Sequence, residues 1–163
     1  MKVDIVNKSI NSLPKYAKPG DAGMDLQADF SKGINDDFLF GAAFDEERQV
    51  LLIFPGGRAL VPTQLFTAIP EGFEVQIRPR SGLALKQGVS VLNTPGTIDA
   101  GYRNGWGVIL INLCDDVFEV AQGDRIAQAV LNKFETIEWN EVDTLPESER
   151  GLGGYGHTGI KEA

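Results

Sequence analysis

Cysteine and histidine are nearly missing from this chain. Of its 163 residues, one is a cysteine, Cys114, and one is a histidine, His157. A single cysteine excludes an internal disulfide and favours a reducing compartment. A single histidine excludes zinc sites built from several histidine and cysteine ligands. It also leaves His157 as the only histidine available to a Ser-His-Asp triad.

Long hydrophobic runs and basic charge are also scarce. No run of 18 apolar residues occurs, so no membrane span is expected, and the opening "MKVDIVNKSI" lacks the apolar segment of a signal peptide. The net charge of −8 argues against a nucleic-acid partner. We therefore expect a cytoplasmic protein of a bacterium or of a virus-infected cell, with the nucleus or an organelle left open. An anionic substrate would need a local cationic cluster or a metal ion.

Short alternating segments dominate what is there. The length suits one domain, hydrophobic residues make up 42%, and 19 glycines and 8 prolines imply many turns. Turn signals recur every 8–12 residues, which predicts an all-β sandwich or barrel. Turns are predicted at 55–57, 70–72 and 94–96, and the run 106–113 is expected to be buried on both faces. The predicted strands are 2–6, 38–44, 49–54, 59–69 interrupted at Pro62, 73–79, 88–93, 106–113, two within 117–134 around 122–124, and 135–142.

One helix and an unusual C-terminus complete the pattern. The stretch "SGLALKQG" (81–88) predicts a helix with Ser81 as N-cap and Gly88 as C-cap. Residues 138–149 are acidic and predict a linker. The stretch "RGLGGYGHTG" (150–159) comes close to a phosphate-binding P-loop, but too few residues follow it to form a helix. A glycine-rich end of this kind is typical of a disordered tail.

Several segments carry candidate chemistry, each with a plainer alternative. Arg80 and Ser81 lie at the start of the predicted helix. They could bind a phosphate there, or they could serve only to cap the helix. Asp99 lies in a tight loop before Tyr102. Its carboxylate could act as a general base, or it could only form a hydrogen bond within the turn. Gln128 lies between Ile126 and Val130 on one strand face, as a structural bridge or as a ligand contact.

Five ordered segments together carry a stronger signal. They resemble the five motifs of the trimeric dUTP diphosphatases (dUTPases), and the resemblance runs from residue 22 to residue 159. In chain order they are "AGMDLQA", "PRSGLALKQGV", "GTIDAGYRNG", "GDRIAQAVL" and "ERGLGGYGHTG".

The resemblance implies a jelly-roll-like β-barrel with one short helix and a mobile C-terminal arm. It implies a homotrimer with shared sites, which hydrolyses dUTP to dUMP and pyrophosphate. That activity limits uracil in DNA and supplies dUMP for dTMP synthesis. The expected organisation is a barrel domain at 1–137 with an inserted hairpin at 31–60, a linker at 138–149, and an arm at 150–163 that closes over another subunit's site.

The same resemblance assigns roles to individual residues. Asp99 would activate the water that attacks the α-phosphorus, with Gln128 and Arg150 also in the catalytic set. Asp25 and Asp124 would anchor these groups, with Asp124 pinning an arginine. Mg²⁺ would be held mainly by substrate phosphates and water rather than by side chains. Substrate contacts would come from Arg80, Ser81, Gly82, Asn93, Gly96, Thr97, Ile98, Tyr102, Tyr155, Gly156, His157 and Thr158.

The chain departs from the family pattern in three places. The loop after Tyr102 continues Arg103-Asn104-Gly105-Trp106, which shifts a glycine by one position and lacks a common acidic residue. His157 stands where serine is common, and Tyr155 where phenylalanine is common. The 31–60 segment is longer than compact members need, and it is either a partner surface or an extended sheet.

Two alternatives to an active dUTPase stay open. A dCTP deaminase shares the barrel, but it uses a glutamate after an aromatic residue, where this chain has Arg103. A regulatory protein could keep the barrel without catalysis, although such a protein has no need of Asp99.

Overall fold

The computed structural model describes residues 1–154. Within them the strands are short and antiparallel, with one α-helix, α1, and one 3-10 helix at Asp36–Phe38. The bounds are β1 Asp4–Asn7, β2 Gly23–Gln27, β3 Leu39–Asp45, β4 Val50–Pro62, β5 Leu65–Ala68, β6 Phe73–Arg78, α1 Ser81–Gln87, β7 Val89–Val91, β8 Gly96–Ile98, β9 Gly107–Asn112, β10 Phe118–Ala121 and β11 Arg125–Lys133.

The strands form three sheets around one core. A five-stranded sheet has the order β10-β4-β9-β7 with β3 also paired to β4, a four-stranded sheet has the order β2-β11-β6-β8, and β1 pairs with β5. In β5, β7, β8 and β9 alternate residues point inward. β9, for example, buries Val108, Leu110 and Asn112, while the residues between them are half-buried. The all-β prediction is confirmed, but burial of β9 on both faces is wrong.

The core joins both large sheets. Leu51 and Ile53 of β4 and Leu110 of β9 are fully buried in one cluster with Leu26 of β2 and Ala129 of β11. Each large aliphatic side chain buried in this way contributes about 1.5–3 kcal/mol relative to exposure. The β3–β4 hairpin therefore supplies central core residues. The interpretation of 31–60 as an insertion stays a prediction.

The turn predicted at 55–57 is wrong, because β4 continues through it. Gly56 has a positive φ of 71°, and Gly57 lies directly against the carbonyl of Gly41, where a Cβ could not fit. The β3–β4 register shifts between Phe40 and Ala42. The glycines therefore bend the strand with a bulge and do not reverse the chain.

Three other local predictions differ from the structure. Ser81 is the first helical residue, and Arg80 occupies the N-cap, while Gly88 is the left-handed C-cap as predicted. The turn predicted at 94–96 ends one residue earlier, because residues 96–98 form β8 by pairing with β6. The Thr94–Pro95 peptide bond within that turn is cis. Residues 135–142 form no strand, because their backbone pairs with no strand among residues 1–154.

Candidate active site

Arg80 is held in place from two directions. Its Nε donates to Asp25 Oδ1 at 2.9 Å, and its Nη1 donates to the carbonyl oxygen of Arg125 at 2.9 Å. The second oxygen of Asp25 accepts from Arg125 Nη1 at 3.3 Å. One carboxylate thus sits between two guanidinium groups, and it fixes the plane of Arg80 at the start of α1.

The strand register explains why these groups meet. β2 and β11 are antiparallel, and Asp25 lies directly opposite Gln128. The same pairing contains a register shift between Arg125 and Ala127. Such an irregularity re-aims the backbone locally, and here the carbonyl of Arg125 is aimed at Arg80.

The Gln128 amide is fixed beside this ion cluster. Its Nε2 donates to the carbonyl oxygen of Pro79 at 2.9 Å, and its Oε1 lies so close to Gly23 that a Cβ there would collide with it. Gln128 is half-buried rather than enclosed among apolar residues, and it lines an open cleft of about 350 Å³. The cleft is also lined by Lys15, Asp21, Asp25, Arg78 and Val130.

The helix start adds accessible backbone next to Arg80. Ser81 and Gly82 are exposed, and a Cβ at Gly82 would meet nothing within 4 Å. The first amide groups of a helix have no partner within it. Arg80, Ser81 and Gly82 therefore form a surface that a phosphate can approach.

A second group of predicted residues lies on the hairpin from β7 to β8. Asn93, Thr97 and Asp99 are exposed, whereas Gly96 and Ile98 are buried. The Asn93 amide packs on Gly96, where a Cβ would come within 3.0 Å of its Nδ2. A side chain at position 96 would therefore have to displace the Asn93 amide.

The loop after this hairpin is fixed at Tyr102. The Tyr102 amide donates to the carbonyl of Asp99 at 3.1 Å, and the Tyr102 hydroxyl donates to the carbonyl of Gly105 at 3.1 Å. Tyr102 is 38% exposed. Asp99 and Tyr102 are thus both accessible from outside, and a backbone hydrogen bond links them.

Within one chain the two groups are well separated. Ile98 pairs with Val75, which pairs with Leu131, so Asp99 lies near the level of Asn132. Asp99 is therefore displaced from Gln128 by four residues along the strand direction and by the two strand spacings from β8 across β6 to β11. With ordinary sheet dimensions these two displacements together give roughly 16 Å. One chain does not bring Asp99 and Gln128 to the same small ligand.

Only one of the two predicted anchoring aspartates contacts an arginine. Asp25 holds Arg80 and Arg125, whereas Asp124 forms no ion pair with an arginine within residues 1–154. The Asp124 carboxylate accepts from the backbone amide of Ala121 at 2.9 Å and thereby closes the β10–β11 turn. The sequence pattern indicated no site role for Arg125 or Gly23, although each lies within one of the five motifs. Their roles depend on strand pairing, which the motif letters do not reveal.

A buried carboxylate holds the N-terminal segment that borders the cleft. Asp29 is fully buried, and it accepts from the Ser9 hydroxyl, from the Ile10 amide at 2.8 Å and from the Ser31 amide at 2.8 Å. Burial acts to raise the pKa of Asp29, but the hydrogen bonds from Ser31, Ser9 and Ile10 outweigh it and lower the pKa below its ordinary value. Residues 9–10 are therefore clamped just before Lys15 reaches the cleft.

The predicted arm lies mostly beyond the described part of the chain. Arg150 donates from Nε to the Gly153 carbonyl at 2.9 Å and from Nη2 to the Gly154 carbonyl at 3.2 Å. The predictions for Tyr155, Gly156, His157 and Thr158 fall outside the described residues. Residues 1–154 contain no cluster of three or more His, Cys, Asp or Glu side chains able to hold a metal, and no helix of these residues is long and apolar enough to cross a membrane.

A family model described as dUTPase matches residues 45–159. The chain belongs to the dUTPase family. Proteins named deoxyuridine 5'-triphosphate nucleotidohydrolase are similar to this dUTPase over nearly its whole length. The protein from Finegoldia magna is 43% identical over 98% of this chain and 99% of its own. The protein from Rickettsia bellii is 46% identical over 98% of this chain and 95% of its own.

Solved dUTPase structures share the fold. The Staphylococcus bacteriophage 80alpha dUTPase with dUpNHpp has a TM-score of 0.77 at 22% identity, over 98% of this chain and 99% of that one. A variant of the dUTPase from phage phi11 of S. aureus, described with a structural Mg(II) ion, has a TM-score of 0.71 at 19% identity, over 90% of this chain and 100% of that one. The expected jelly-roll architecture of this dUTPase is thereby confirmed.

Proposed function

We propose that the chain hydrolyses dUTP to dUMP and pyrophosphate. The observation that supports this most directly is Arg80, held by Asp25 and Arg125 at the start of α1, with Gln128 fixed beside it. A pinned guanidinium and free helix amides favour an anionic, phosphate-bearing ligand. Ser81 and Gly82 are exposed at the same surface and would contact the α- and β-phosphates.

Asp99 would supply the base. Its exposed carboxylate can accept a proton from a water molecule and orient that water for attack on the α-phosphorus. The new bond forms between the water oxygen and the α-phosphorus, and the bond to the bridging oxygen breaks. Pyrophosphate leaves. Arg80 and Gln128 would stabilise the negative charge that develops on the phosphate oxygens.

The hairpin would select the base and the sugar. Asn93 and the backbone of Gly96, Thr97 and Ile98 would hydrogen-bond the uracil edge, in a space that the packing at Gly96 keeps narrow. Tyr102 would pack under the deoxyribose and leave no room for a 2′-hydroxyl. dUTP would therefore be preferred over both dTTP and UTP.

We propose that the site is completed in a homotrimer. The separation of roughly 16 Å between Asp99 and Gln128, from ordinary sheet dimensions, is too large for one chain to use both on one phosphate. The segment leading to Arg150 also leaves Ile137, Trp139 and Leu145 71%, 85% and 85% exposed. Large apolar side chains on such a segment are typical of a surface that another subunit covers.

Mg²⁺ fits this site as a partner of the substrate. Both oxygens of Asp25 are engaged by guanidinium groups, and residues 1–154 offer no cluster of three metal-binding side chains. The ion would therefore take its ligands mainly from the triphosphate and from water, as Mg²⁺ commonly does. It would neutralise phosphate charge near a chain of net charge −8.

The C-terminal arm would close over the bound nucleotide. Arg150 and the arm residues Gly156, His157 and Thr158 would contact the phosphates, and Tyr155 would stack on the uracil. Closure would exchange the carbonyl contacts of Arg150 for phosphate oxygens. We also propose a cytoplasmic location, with the nucleus or an organelle left open. The net charge of −8 argues against a nucleic-acid partner, and we expect no membrane partner.

A nucleotide panel tests the proposed activity. The purified chain with Mg²⁺ is expected to release pyrophosphate from dUTP and to leave dCTP, dATP, dGTP and dTTP almost untouched. Consumption of dCTP without dUTP would indicate the deaminase relative instead. The Asp99→Asn variant is expected to bind dUpNHpp by calorimetry and not to turn dUTP over. Hydrolysis at the wild-type rate by this variant would refute the role of Asp99.

A further inference from the structure

The side chain of Tyr102 is held by the backbone of a single residue. Its hydroxyl donates to the carbonyl oxygen of Gly105 at 3.1 Å, although the residue is 38% exposed. The loop beyond is tied to the start of β5 and to the turn before it. The Trp106 amide donates to the Leu65 carbonyl at 2.8 Å, and the Trp106 carbonyl accepts from the Thr63 amide at 3.0 Å. The carbonyl of Gly105 is thus the point at which a rigid segment fixes the ring.

Phe66 of β5 occupies the space that a side chain at position 105 would need. A Cβ on Gly105 would lie 3.3 Å from both Cε1 and Cζ of the Phe66 ring. The Lys8 ammonium lies 4.7 Å from the centre of that ring, and Phe66 pairs with Val6 of β1. The ring is therefore supported from the N-terminal strand and pressed against Gly105.

This packing accounts for one departure from the family pattern. The glycine at position 105 stands where the motif commonly has an acidic residue, and the Phe66 ring takes the room of the missing side chain. The Phe66 ring thus limits movement of Gly105 toward β5. The Tyr102 hydroxyl is bonded to the carbonyl of the same residue.

We propose that Phe66 and Gly105 are positioning residues for Tyr102, and that through it they set the preference for deoxyribose over ribose. The proposal rests on the function proposed above. Exclusion of a 2′-hydroxyl by a ring depends on close contact, and displacement of that ring by a few tenths of an ångström opens space. Because a 1 Å misplacement can cost about a hundredfold in rate, we expect a shift of this smaller size to change the preference about tenfold.

The test compares kcat/KM for dUTP with kcat/KM for UTP in a set of variants. Gly105→Ala is expected to lower the ratio of kcat/KM for dUTP to kcat/KM for UTP about tenfold. The added methyl group would have to move either the Gly105 carbonyl or the Phe66 ring. Phe66→Leu lacks the ring atoms that meet position 105. The double variant Gly105→Ala/Phe66→Leu is therefore expected to recover a ratio within about twofold of Phe66→Leu alone.

Tyr102→Phe supplies a second route to the same question. It removes the hydroxyl and keeps the ring, so it is expected to lower the ratio by an amount similar to Gly105→Ala. In the Tyr102→Phe background, Gly105→Ala is expected to change the ratio no further, because the hydrogen bond through which it acts is already gone. Additive effects of the two substitutions would overturn the proposal.

Gly107→Ala is the matched structural control. Its Cβ would meet Leu60 Cδ1 at 2.6 Å, so it disturbs packing next to the same loop without touching Phe66 or Tyr102. It is expected to lower Tm and leave the dUTP:UTP ratio unchanged. A change in ratio as large as that of Gly105→Ala would show that any local disturbance suffices and would overturn the proposal.

The remaining outcomes separate the two levels of inference. A wild-type chain that does not hydrolyse dUTP refutes the proposed function. A wild-type chain that hydrolyses dUTP, with a ratio that Gly105→Ala leaves intact, refutes only the positioning role. If Gly105→Ala does not fold, an unchanged ratio in Tyr102→Phe refutes the positioning role by itself.

Discussion

Replacing Asp29 by asparagine is expected to destabilise the fold. Asp29 is fully buried, and every contact it makes is from a donor: the Ser9 hydroxyl, the Ile10 amide and the Ser31 amide. A carboxylate accepts from all three, but an asparagine has one oxygen and one NH₂ group. In either orientation the NH₂ group faces at least one N–H donor.

The magnitude follows from these three contacts. One buried donor loses its acceptor, which costs about 1–3 kcal/mol, and the other contacts lose the added strength of an ionised acceptor. A total of about 3 kcal/mol corresponds to a fall in Tm of about 6–12 °C for a chain of this size. The measurement is thermal unfolding at pH 7 with the protein concentration held constant, because assembly makes Tm depend on concentration.

The pH dependence gives a second, independent check. The folded-state pKa of Asp29 lies below its ordinary value, so its stabilising contribution is complete above the unfolded pKa and is lost as the pH falls through the folded pKa. The Tm difference between the wild type and Asp29→Asn should therefore shrink on acidification. Asp37→Asn makes the same charge change at an exposed position and should leave Tm almost unchanged. A fall of less than about 2 °C in Asp29→Asn at pH 7 would refute the reasoning.

Three further predictions concern the site. Gly23→Ala should push the Gln128 amide away from the Pro79 carbonyl, because the added Cβ would collide with Gln128 Oε1. We expect kcat/KM for dUTP to fall about tenfold or more. Unchanged steady-state kinetics would contradict this prediction. Asp25→Asn should raise KM for dUTP about fivefold. The Arg80 and Asp25 side chains are 27% and 36% exposed, so solvent screening leaves their ion pair worth about 1 kcal/mol. A KM within twofold of the wild type would count against this prediction. Deletion of residues 150–163 should leave a folded trimer by light scattering with almost no hydrolysis, and an active truncation would overturn the role of the arm.

The sequence predicted strands well where hydrophobic alternation was strong. Residues 73–79 alternate cleanly, and β6 occupies all but the last of them. β2 and β8 were missed because they are short and their existence depends on pairing with β11 and β6. Residues 135–142 alternate as well, but the part of the chain that the structure describes offers them no partner strand. Local pattern indicates that a segment can form a strand, and only the tertiary fold supplies the neighbour.

The candidate site shows the same division. The motifs alone indicate Arg80, Asp99, Tyr102 and Gln128 as site residues. Which aspartate holds Arg80 depends on the β2–β11 register, and the sequence offered no means to choose Asp25 over Asp124. The contact between Phe66 and Gly105 joins positions far apart in the chain, and no local pattern encodes it.

The separation of Asp99 from Gln128 along the sheet has a genetic consequence. If each active site draws these two groups from different subunits, a chain defective at Asp99 can still lend its Gln128, and a chain defective at Gln128 can still lend its Asp99. Two individually inactive alleles, expressed together, would then restore hydrolysis in mixed trimers. A cell carrying one defective copy would lose sites in proportion to the defective chains and not lose every trimer that contains one. The spacing of two residues on a sheet thus determines whether two different defective alleles can complement each other.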